Sequence, residues 1–438
     1  MKPLGLKIIK NEAFLHNYKI SDLANKYQTP LYIMDEEQIN RSIQDYLTFF
    51  KSDAFHTSVV YASKAFLTTA FVKYIDSHGL FIDAVSLGDL YVIHKAGFTM
   101  EKVVFHGNNK SIAELQYAIE TNVGIIVVDN LFELEHLSRL ANDYQKKISI
   151  LIRINPGIDA HTHQYIQTAK FTSKFGESMY DEEMIYKLIK VCQSSKYIKL
   201  LGFHAHIGSQ IHETEAFKLE VSKMIDFQNR VNDKFQLSLD TLNLGGGFGI
   251  QYTYDEKSLS IKEMMTSLIT NIEKKLKSSN SKIRNFMIEP GRSIVGEAGI
   301  TVYTCSQIKS TYGKKNYLFI DGGMTDNIRP ALYGAVYECD VATKMNNRKE
   351  ILVDVVGKCC ESGDIIRKDV LVPRIDEGDI LIVYATGAYN YSMSSNYNNL
   401  LKPAVIMVGK EVKVMSRREQ LEDLCCLLYT SDAADDLI

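Results

Sequence analysis

Short apolar runs recur along the first two thirds of the chain, and each run ends at polar or glycine residues. Longer stretches that are compatible with helices separate most of them. The runs cover residues 59–62, 80–82, 103–105, 125–128, 148–154, 200–203, 242–244 and 286–288. Eight alternating strand and helix units predict an α/β fold, a (β/α)8 TIM-like barrel, whose active site lies at the carboxyl ends of the strands.

The pattern changes after about residue 300, where strand-like segments are separated by turns. It predicts a C-terminal all-β domain, sandwich-like or barrel-like, with strands at 317–320, 351–356, 379–384 and 404–408. We expect the N-terminal segment, with a strand at 6–9, to complete this domain, and the barrel to begin with a strand at 31–34. The expected bounds are 1–30 for the N-terminal segment, 31–300 for the barrel, 301–424 for the β domain and 425–438 for a tail.

Charge and composition exclude several classes of function. The net charge is only −3 and no block of lysines or arginines stands out, which argues against nucleic acid or an anionic membrane as partner. The N-terminus lacks the pattern of a signal peptide, and no apolar run approaches the roughly 18 residues of a membrane helix. Seven cysteines without paired spacings fit reduced thiols and a cytoplasmic protein.

Lys64 is the first candidate for chemistry, because it follows the apolar run 59–62 at a predicted strand end. Burial among apolar neighbours would lower its pKa and leave more of the free amine that attacks an aldehyde. The alternative is a solvated lysine that merely closes a strand.

Two further strand ends carry groups that could bind an anionic cofactor. Gly245, Gly246 and Gly247 let backbone N–H groups approach a phosphate, although a flexible turn is the alternative. Glu289 and Arg292 follow the eighth run and could equally form a structural salt bridge. An amine, a phosphate site and a carboxylate on one rim are what pyridoxal phosphate requires.

Histidine pairs suggest a rival function. His204 with His206, and His161 with His163, form H-x-H pairs that a zinc hydrolase built on a barrel could use. Such enzymes usually place this pair on the first strand, whereas here the first strand ends at Lys64. A non-catalytic carrier of pyridoxal phosphate is a third possibility.

The chain resembles the fold-type III pyridoxal phosphate-dependent decarboxylases from about Tyr27 to Leu424. The resemblance rests on YASKA at 61–65, HGNNKS at 106–111, HAHIGSQI at 204–211, GGGFG at 245–249, EPGRS at 289–293, CESGD at 360–364 and the segments 153–168, 173–176, 321–335 and 387–398. HGNNKS, CESGD and the AHTH of residues 160–163 look more like the branch that acts on diaminopimelate than like ornithine and arginine decarboxylases. The resemblance therefore implies decarboxylation of meso-2,6-diaminopimelate to L-lysine, the last step of lysine biosynthesis.

The resemblance also implies a role for individual residues around pyridoxal 5'-phosphate. Lys64 would form the Schiff base, His206 would stack on the ring, and Glu289 would pair with the pyridine nitrogen. Ser209, Gly247, Arg292 and Tyr389 would bind the phosphate. The full implied cofactor set is Lys64, Asp83, His206, Ser209, Gly245, Gly246, Gly247, Glu289, Arg292 and Tyr389.

For the substrate, the resemblance implies the residues Arg292, Arg329, Tyr333, Glu361 and Tyr389. The arginines would bind the distal carboxylate in a forked geometry, and Glu361 would bind the distal ammonium. Cys360 would donate or position a proton after CO2 leaves, arriving with Glu361 from the partner subunit, so the resemblance implies a homodimer. A small buried thiol is the alternative for Cys360, and Asp83 could support Lys64 or merely cap a helix.

The last residues differ in character from the rest. CLLYTSDAADD at 426–436 resembles a translated sequencing-adapter remnant, and such segments are kept out of fold reasoning. We therefore expect residues 425–438 to be a non-native tail without a packed core, in which Leu427 and Tyr429 are not deeply buried.

Overall fold

The computed structural model of the chain describes residues 1–158 and 173–428. His161 and His163, and at the other end Tyr429, lie outside the described residues. The chain divides into two compact units. The barrel unit comprises Arg41–Ile250 and Lys257–Ile294, and the β unit comprises Met1–Asn40, Gln251–Glu256 and the residues from Val295 on.

Eight parallel strands form the closed sheet of the barrel unit. They are His56–Tyr61, Phe81–Ala84, Val103–Phe105, Ile125–Val128, Ile148–Asn155, Ile198–His204, Thr241–Asn243 and Asn285–Ile288. Neighbours in the chain pair in parallel, and the eighth strand pairs with the first through Asn285 and His56. All eight predicted runs lie in or overlap these strands, so the predicted barrel is confirmed.

Helices follow each of the first seven barrel strands. They are Thr69–Ser77, Leu87–Lys95, Ile112–Glu120, Leu131–Asp143, Glu182–Ser194, Glu215–Phe235 and Ile261–Ser279, while Glu36–Phe49 precedes the first strand and the short Arg292–Val295 follows the eighth. Polar side chains begin several of them, because the first backbone N–H groups of a helix need acceptors. Ser111 and Ser260 each form a reciprocal capping box with the glutamate three residues later.

Inward-facing residues of the strands fill the barrel. Val60, Val104, Val127, Leu151 and Met287 come from five different strands, are all buried, and pack against one another. Each such side chain contributes about 1.5–3 kcal/mol on burial. A packed interior of this kind leaves only the strand ends for chemistry.

Strands dominate the β unit. Seven of them follow the spatial order Ile365–Val372, Ile351–Val356, Lys315–Ile320, Gly299–Thr311, Leu31–Asp35, Ala404–Val408 and Val412–Ser416, and Ile380–Val383 pairs with Gly299–Thr311 and with Cys339–Val341. The strand Leu6–Ile9 forms as expected, but it lies in a separate three-stranded sheet, in which it pairs with Glu12–Leu15, and Glu12–Leu15 pairs with Tyr18–Lys19. The helices Ile20–Tyr27, Arg329–Tyr333 and Leu421–Cys425 and the single turns Tyr391–Met393 and Tyr397–Asn399 complete the unit.

One predicted strand belongs to a different sheet. Leu31–Asp35, expected to begin the barrel, pairs antiparallel with Gly299–Thr311 and parallel with Ala404–Val408. All five residues of Leu31–Asp35 are buried, and a continuous apolar run fits any buried sheet, so periodicity could not identify its partners.

The C-terminal residues that the structure describes are exposed. Leu427 is 82% exposed and Leu428 is 70% exposed. This agrees with the expectation for Leu427, but Tyr429 lies outside the described residues and the non-native origin of the tail stays a prediction. Within residues 1–158 and 173–428, no helix combines the length and the apolar character needed to span a membrane.

Candidate active site

Lys64 lies in the single helical turn Ser63–Ala65, directly after the first barrel strand. Its neighbours Ser63 and Ala65 are buried, but Lys64 itself is exposed, so the burial expected from its apolar neighbours is wrong. In this turn the side chain of Lys64 points to the opposite side from those of Ser63 and Ala65. The apolar run before it does not predict that direction. The Lys64 side chain is thus presented at the carboxyl end of the barrel.

Asp83 supports the turn that carries Lys64. Its Oδ1 accepts a hydrogen bond of 2.6 Å from the backbone N–H of Ser63. The helix that follows Asp83 is capped by Ser86 instead, so Asp83 does not cap it. The pKa of Asp83 is raised to about 6, mainly by burial and also by the charge of Glu289, while His106 and Lys64 oppose the shift.

Glu289 follows the eighth strand and is buried among hydrogen-bond donors. Its Oε1 lies 2.7 Å from His106 Nε2 and accepts a second hydrogen bond of 2.7 Å from Asn243 Nδ2. Its Oε2 lies 3.3 Å from His204 Nε2. These donors come from the ends of the third, seventh and sixth strands, so closure of the barrel brings them together.

The electrostatics around Glu289 favour a charged carboxylate. Burial alone would raise the pKa of Glu289, but His106 and His204 outweigh it and hold that pKa well below its usual range. Burial lowers the pKa of His204 to about 4, although Glu289 partly opposes the shift. The site therefore holds a negative charge at neutral pH.

The glycines 245–247 form a tight turn beside His206. The backbone N–H of Gly246 donates to His206 Nδ1 at 3.2 Å, which fixes the orientation of the imidazole. A Cβ on Gly246 would lie 2.1 Å from the carbonyl oxygen of Glu289, and Gly247 has φ +108° with its Cβ position 2.3 Å from the oxygen of Gly208. No side chain fits there, so backbone alone lines this part of the site. The next helix does not begin until Ile261, so no helix N-terminus directly backs the turn.

His206 presents an uncharged ring. Burial lowers its pKa well below the usual range, and the positive charges of Lys64 and Arg153 lower it further. Beside it, Arg292 Nη2 donates to Ser209 Oγ at 3.0 Å. Arg292 and Ser209 thus place a guanidinium and a hydroxyl together, as binding of a phosphate requires.

A metal site is the alternative for part of this cluster. One potential ligand atom each from His106, His204 and Glu289 lies within 4.8 Å of the others. The geometry, however, shows hydrogen bonds from the imidazoles to the carboxylate, and His206 uses Nδ1 to accept from Gly246 instead of joining His204. The two histidines of this H-x-H pair therefore have different partners: His204 bonds to Glu289, and His206 accepts from Gly246.

Two of the predicted substrate residues of the β unit, Tyr333 and Tyr389, lie around the guanidinium of a third, Arg329. Arg329 Nε donates to Tyr337 Oη at 2.8 Å. Its guanidinium carbon lies 5.3, 5.7 and 5.9 Å from the ring centroids of Tyr333, Tyr389 and Tyr252 respectively. Aromatic rings at this range stabilise a cation, so Arg329 is held in place while its remaining N–H groups can serve a ligand.

Cys360 and Glu361 lie on an exposed turn of the β unit. Both residues are exposed, so the alternative of a buried thiol for Cys360 is wrong. The buried carboxylate of Asp364 shapes the turn by accepting from the N–H groups of Cys359 at 2.8 Å and of Met324 at 2.6 Å. Asn398 Oδ1 accepts from the N–H of Cys360 at 2.7 Å.

Sequence reasoning missed several supporting residues. His106 and Asn243 had no assigned role, although both stand at the end of a barrel strand, which was the available signal. Asp364 and Asn398 act through backbone N–H groups, a contact that residue type and spacing do not predict.

Comparison with known proteins identifies relatives over most of the chain. Residues 36–296 match the family described as "Pyridoxal-dependent decarboxylase, pyridoxal binding domain". The chain is 42% identical to the diaminopimelate decarboxylase of Bacillus subtilis over 92% of both chains, and 41% identical to that of Bacillus methanolicus over 91% of this chain and 92% of the relative. A solved diaminopimelate decarboxylase of M. jannaschii in complex with L-lysine is 30% identical, with a TM-score of 0.92, over 98% of this chain and 99% of that one.

Proposed function

The chain belongs to the diaminopimelate decarboxylase family of the pyridoxal-dependent decarboxylases, and from this premise we propose which residues perform the reaction. With pyridoxal 5'-phosphate, the enzyme converts meso-2,6-diaminopimelate into L-lysine and CO2, the last step of lysine biosynthesis. The observation that carries this conclusion is the 42% identity over 92% of the chain.

The barrel rim fits pyridoxal phosphate in three respects. It presents the amine of Lys64, a carboxylate at Glu289 that stays charged, and a turn at 245–247 that leaves no room for side chains. When bound, the cofactor supplies a ring that accepts the electron pair left at the substrate carbon as CO2 departs.

Glu289 would hold the proton on the cofactor's ring nitrogen. Its negative charge is maintained by His106 and His204, and the hydrogen bond from Asn243 fixes its orientation. A fixed charge that is already oriented costs no reorganisation during the reaction. His206, held by the Gly246 N–H, would lie against the ring face.

Ser209, Gly245, Gly246, Gly247, Arg292 and Tyr389 would bind the phosphate. The hydrogen bond between Arg292 and Ser209 supports this assignment, because it brings a cation and a hydroxyl to one place. Tyr389 has φ +62°, a conformation that is costly for a tyrosine and is one of those that cluster at functional sites. Lys64 would bond to the cofactor aldehyde, with Asp83 holding its turn through the Ser63 N–H.

Arg329 would bind the distal carboxylate of the substrate, assisted by Tyr333, Tyr389 and Arg292. The Tyr337 hydrogen bond and the neighbouring rings hold the Arg329 guanidinium in place, so little side-chain entropy is lost on binding. Glu361 would bind the distal ammonium. The L-lysine complex of the M. jannaschii relative supports a site for a basic amino acid.

The activity is tested by separate incubations of the purified protein and pyridoxal phosphate with meso-diaminopimelate, ornithine, arginine and lysine. Mass spectrometry should detect L-lysine from diaminopimelate and no product from the other three. Putrescine, agmatine or cadaverine would instead assign the protein to the polyamine branch.

Replacement of Arg329 should weaken substrate recognition. Arg329→Met removes a charged hydrogen-bond donor, and such bonds contribute about 1.5–3 kcal/mol, so kcat/KM for diaminopimelate should fall about 10- to 100-fold. Steady-state kinetics should show most of the loss in KM. Arg348→Met is the matched control, because the Arg348 side chain is 89% exposed; equal effects of both substitutions would contradict the assignment.

We propose that the enzyme is a homodimer in which Cys360 and Glu361 act in the partner's site. The exposure of both residues and the fixed shape of their turn support this proposal. Cys360 would deliver or position the proton that replaces CO2, which a thiol can do when it lies within hydrogen-bond reach of the reacting carbon.

Mixing two variants that we expect to be inactive on their own tests the shared site. Lys64→Ala and Cys360→Ala damage different halves of it, so after co-refolding at equal amounts, half of the dimers carry one intact site and activity should recover to about a quarter of the parent's. No recovery, with mixed dimers demonstrated by native mass spectrometry, would argue against sharing. A Cys360→Ala variant with full turnover would exclude the proposed role of the thiol.

We also propose a cytoplasmic location. All seven cysteines are free in the structure, and four of them, Cys192, Cys305, Cys339 and Cys359, are buried as reduced thiols. Reduced thiols persist in the cytoplasm and are rare in oxidising compartments.

A further inference from the structure

Lys110 is a buried lysine in the barrel unit that has no part in the proposed chemistry. It lies in the loop 106–111, between the third barrel strand and the helix Ile112–Glu120. Its side chain is 1% exposed. A lysine at this depth is rare unless every donor of its ammonium group is satisfied.

All three ammonium donors of Lys110 have acceptors. Nζ donates to the carbonyl oxygen of Gly107 at 2.8 Å, to that of Val127 at 2.7 Å, and to Glu133 Oε1 at 2.7 Å. Gly107 belongs to the same loop, Val127 to the fourth barrel strand, and Glu133 to the first turn of the helix Leu131–Asp143. Lys110 therefore ties the loop to the next strand and helix of the barrel.

The same loop begins with His106, whose Nε2 lies 2.7 Å from Glu289 Oε1. Gly107, the next residue, has φ +131°, and a Cβ there would lie 3.3 Å from Lys110 Cγ. The Lys110 stem and its ammonium thus fix the backbone on the C-terminal side of His106, while the N–H of His106 donates to the Ala84 oxygen at 2.8 Å. Without Lys110, the hydrogen bond from the His106 N–H to the Ala84 oxygen would be the one of these two restraints that remains.

We propose that Lys110 is a positioning residue, which holds the loop 106–111 so that His106 keeps its contact with Glu289. The inference rests on the proposed function, because Glu289 is assigned there to the cofactor nitrogen. Lys110 touches neither substrate nor cofactor in this assignment. Its effect reaches the reaction through His106.

Stability alone does not account for this ion pair. Replacing a buried ion pair by apolar groups of similar size is often neutral or stabilising, whereas removing one partner leaves an unpaired charge and is strongly destabilising. The single variant Lys110→Met therefore has two effects. The loop 106–111 loses its anchor, and the carboxylate of Glu133 is left buried without its partner cation. The double variant Lys110→Met with Glu133→Leu removes the unpaired charge and separates them.

Four variants test the proposal: Lys110→Met, Lys110→Arg, the double variant, and Lys146→Met as control. Lys146 is a partly buried lysine that donates to the Ile119 oxygen and to Asn122 Oδ1, both at 3.0 Å, next to the start of the fifth barrel strand. The measurements are kcat, KM, melting temperature, and the affinity for pyridoxal phosphate by titration of its absorption spectrum.

Lys110→Met should lower kcat about 30-fold and change KM by about threefold or less. The expected loss in kcat is smaller than the roughly 100-fold that a displacement of a catalytic group by an ångström can cause. It should also weaken the binding of pyridoxal phosphate. The double variant should regain the parent's melting temperature but not its kcat, and Lys110→Arg, which keeps the charge, should regain part of kcat. Lys146→Met should change the melting temperature alone.

A double variant that regains kcat together with its melting temperature would overturn the proposal, because the role of Lys110 would then be structural only. The same conclusion follows if Lys110→Met binds pyridoxal phosphate with the parent's affinity and spectrum. The spectral titration needs no substrate. It therefore tests Lys110 even if the parent forms no lysine from diaminopimelate, a result that would refute the proposed function instead.

Discussion

Replacement of Lys64 by arginine should lower kcat by about 10⁴-fold. This is the upper end of what one proton-transferring group contributes. We expect the upper end because the Lys64 amine is also assigned to covalent binding of the cofactor aldehyde. Arginine keeps the positive charge but its guanidinium stays protonated and cannot act as the nucleophile. The loss should therefore arise from chemistry and not from charge. Single-turnover kinetics with the parent and the variant would measure it.

A chemical readout makes the Lys64 prediction specific. Reduction with borohydride in the presence of pyridoxal phosphate should add the mass of the reduced cofactor to the parent at Lys64, located by peptide mass spectrometry, and not to Lys64→Arg. Lys73→Arg is the control, since Lys73 is an exposed lysine of the nearby helix Thr69–Ser77. Attachment at another lysine in the parent would remove Lys64 from its assigned role.

Glu289→Gln should lower kcat by roughly 300-fold, within the 10²–10³ range for loss of one preorganised electrostatic group. Glutamine keeps the shape of the side chain but removes the charge that His106 and His204 maintain. Its amide N–H groups would also face the donors of His106 and Asn243, which now meet a carboxylate oxygen at 2.7 Å. The ring nitrogen of the cofactor would then lose its counter-charge.

Two comparisons separate the charge of Glu289 from its packing. Glu289→Asp keeps the charge and should retain more activity than Glu289→Gln at a similar melting temperature. Glu220→Gln removes another buried glutamate, on the helix Glu215–Phe235, and should leave the spectrum of bound pyridoxal phosphate unchanged. A kcat of Glu289→Gln within about threefold of the parent's would be incompatible with the proposed role of the carboxylate.

Much of the barrel and part of its site can be predicted from local pattern. A short apolar run that ends in a polar residue indicates a strand, and the rule that barrel sites lie at the carboxyl ends of strands places Lys64, Asp83, His206 and Glu289 at one rim together with His106 and His204. The roles of the individual residues come from the resemblance to the decarboxylase family. The structure places the polar groups of these strand ends at one rim, with Asp83 below the Lys64 turn and Gly246 bonded to His206.

The remainder depends on contacts between distant parts of the chain. His106 and Asn243 bond to Glu289 only because three strands align in one register, and no local signal sets that alignment. The exposure of Lys64 depends on the direction of one turn. Leu31–Asp35 was assigned to the wrong sheet because its partners, Gly299–Thr311 and Ala404–Val408, follow hundreds of residues later.

That last pairing has a consequence for synthesis on the ribosome. Leu31–Asp35 emerges early, yet both strands that flank it in the finished sheet are translated only after the whole barrel unit. Until then both hydrogen-bonding edges of this strand lack their native partners, which is a condition under which nascent chains aggregate or recruit chaperones. The barrel unit is fully translated by Ile294, so chains interrupted between residues 311 and 404 would carry all the barrel residues while Leu31–Asp35 still lacks its Ala404–Val408 neighbour.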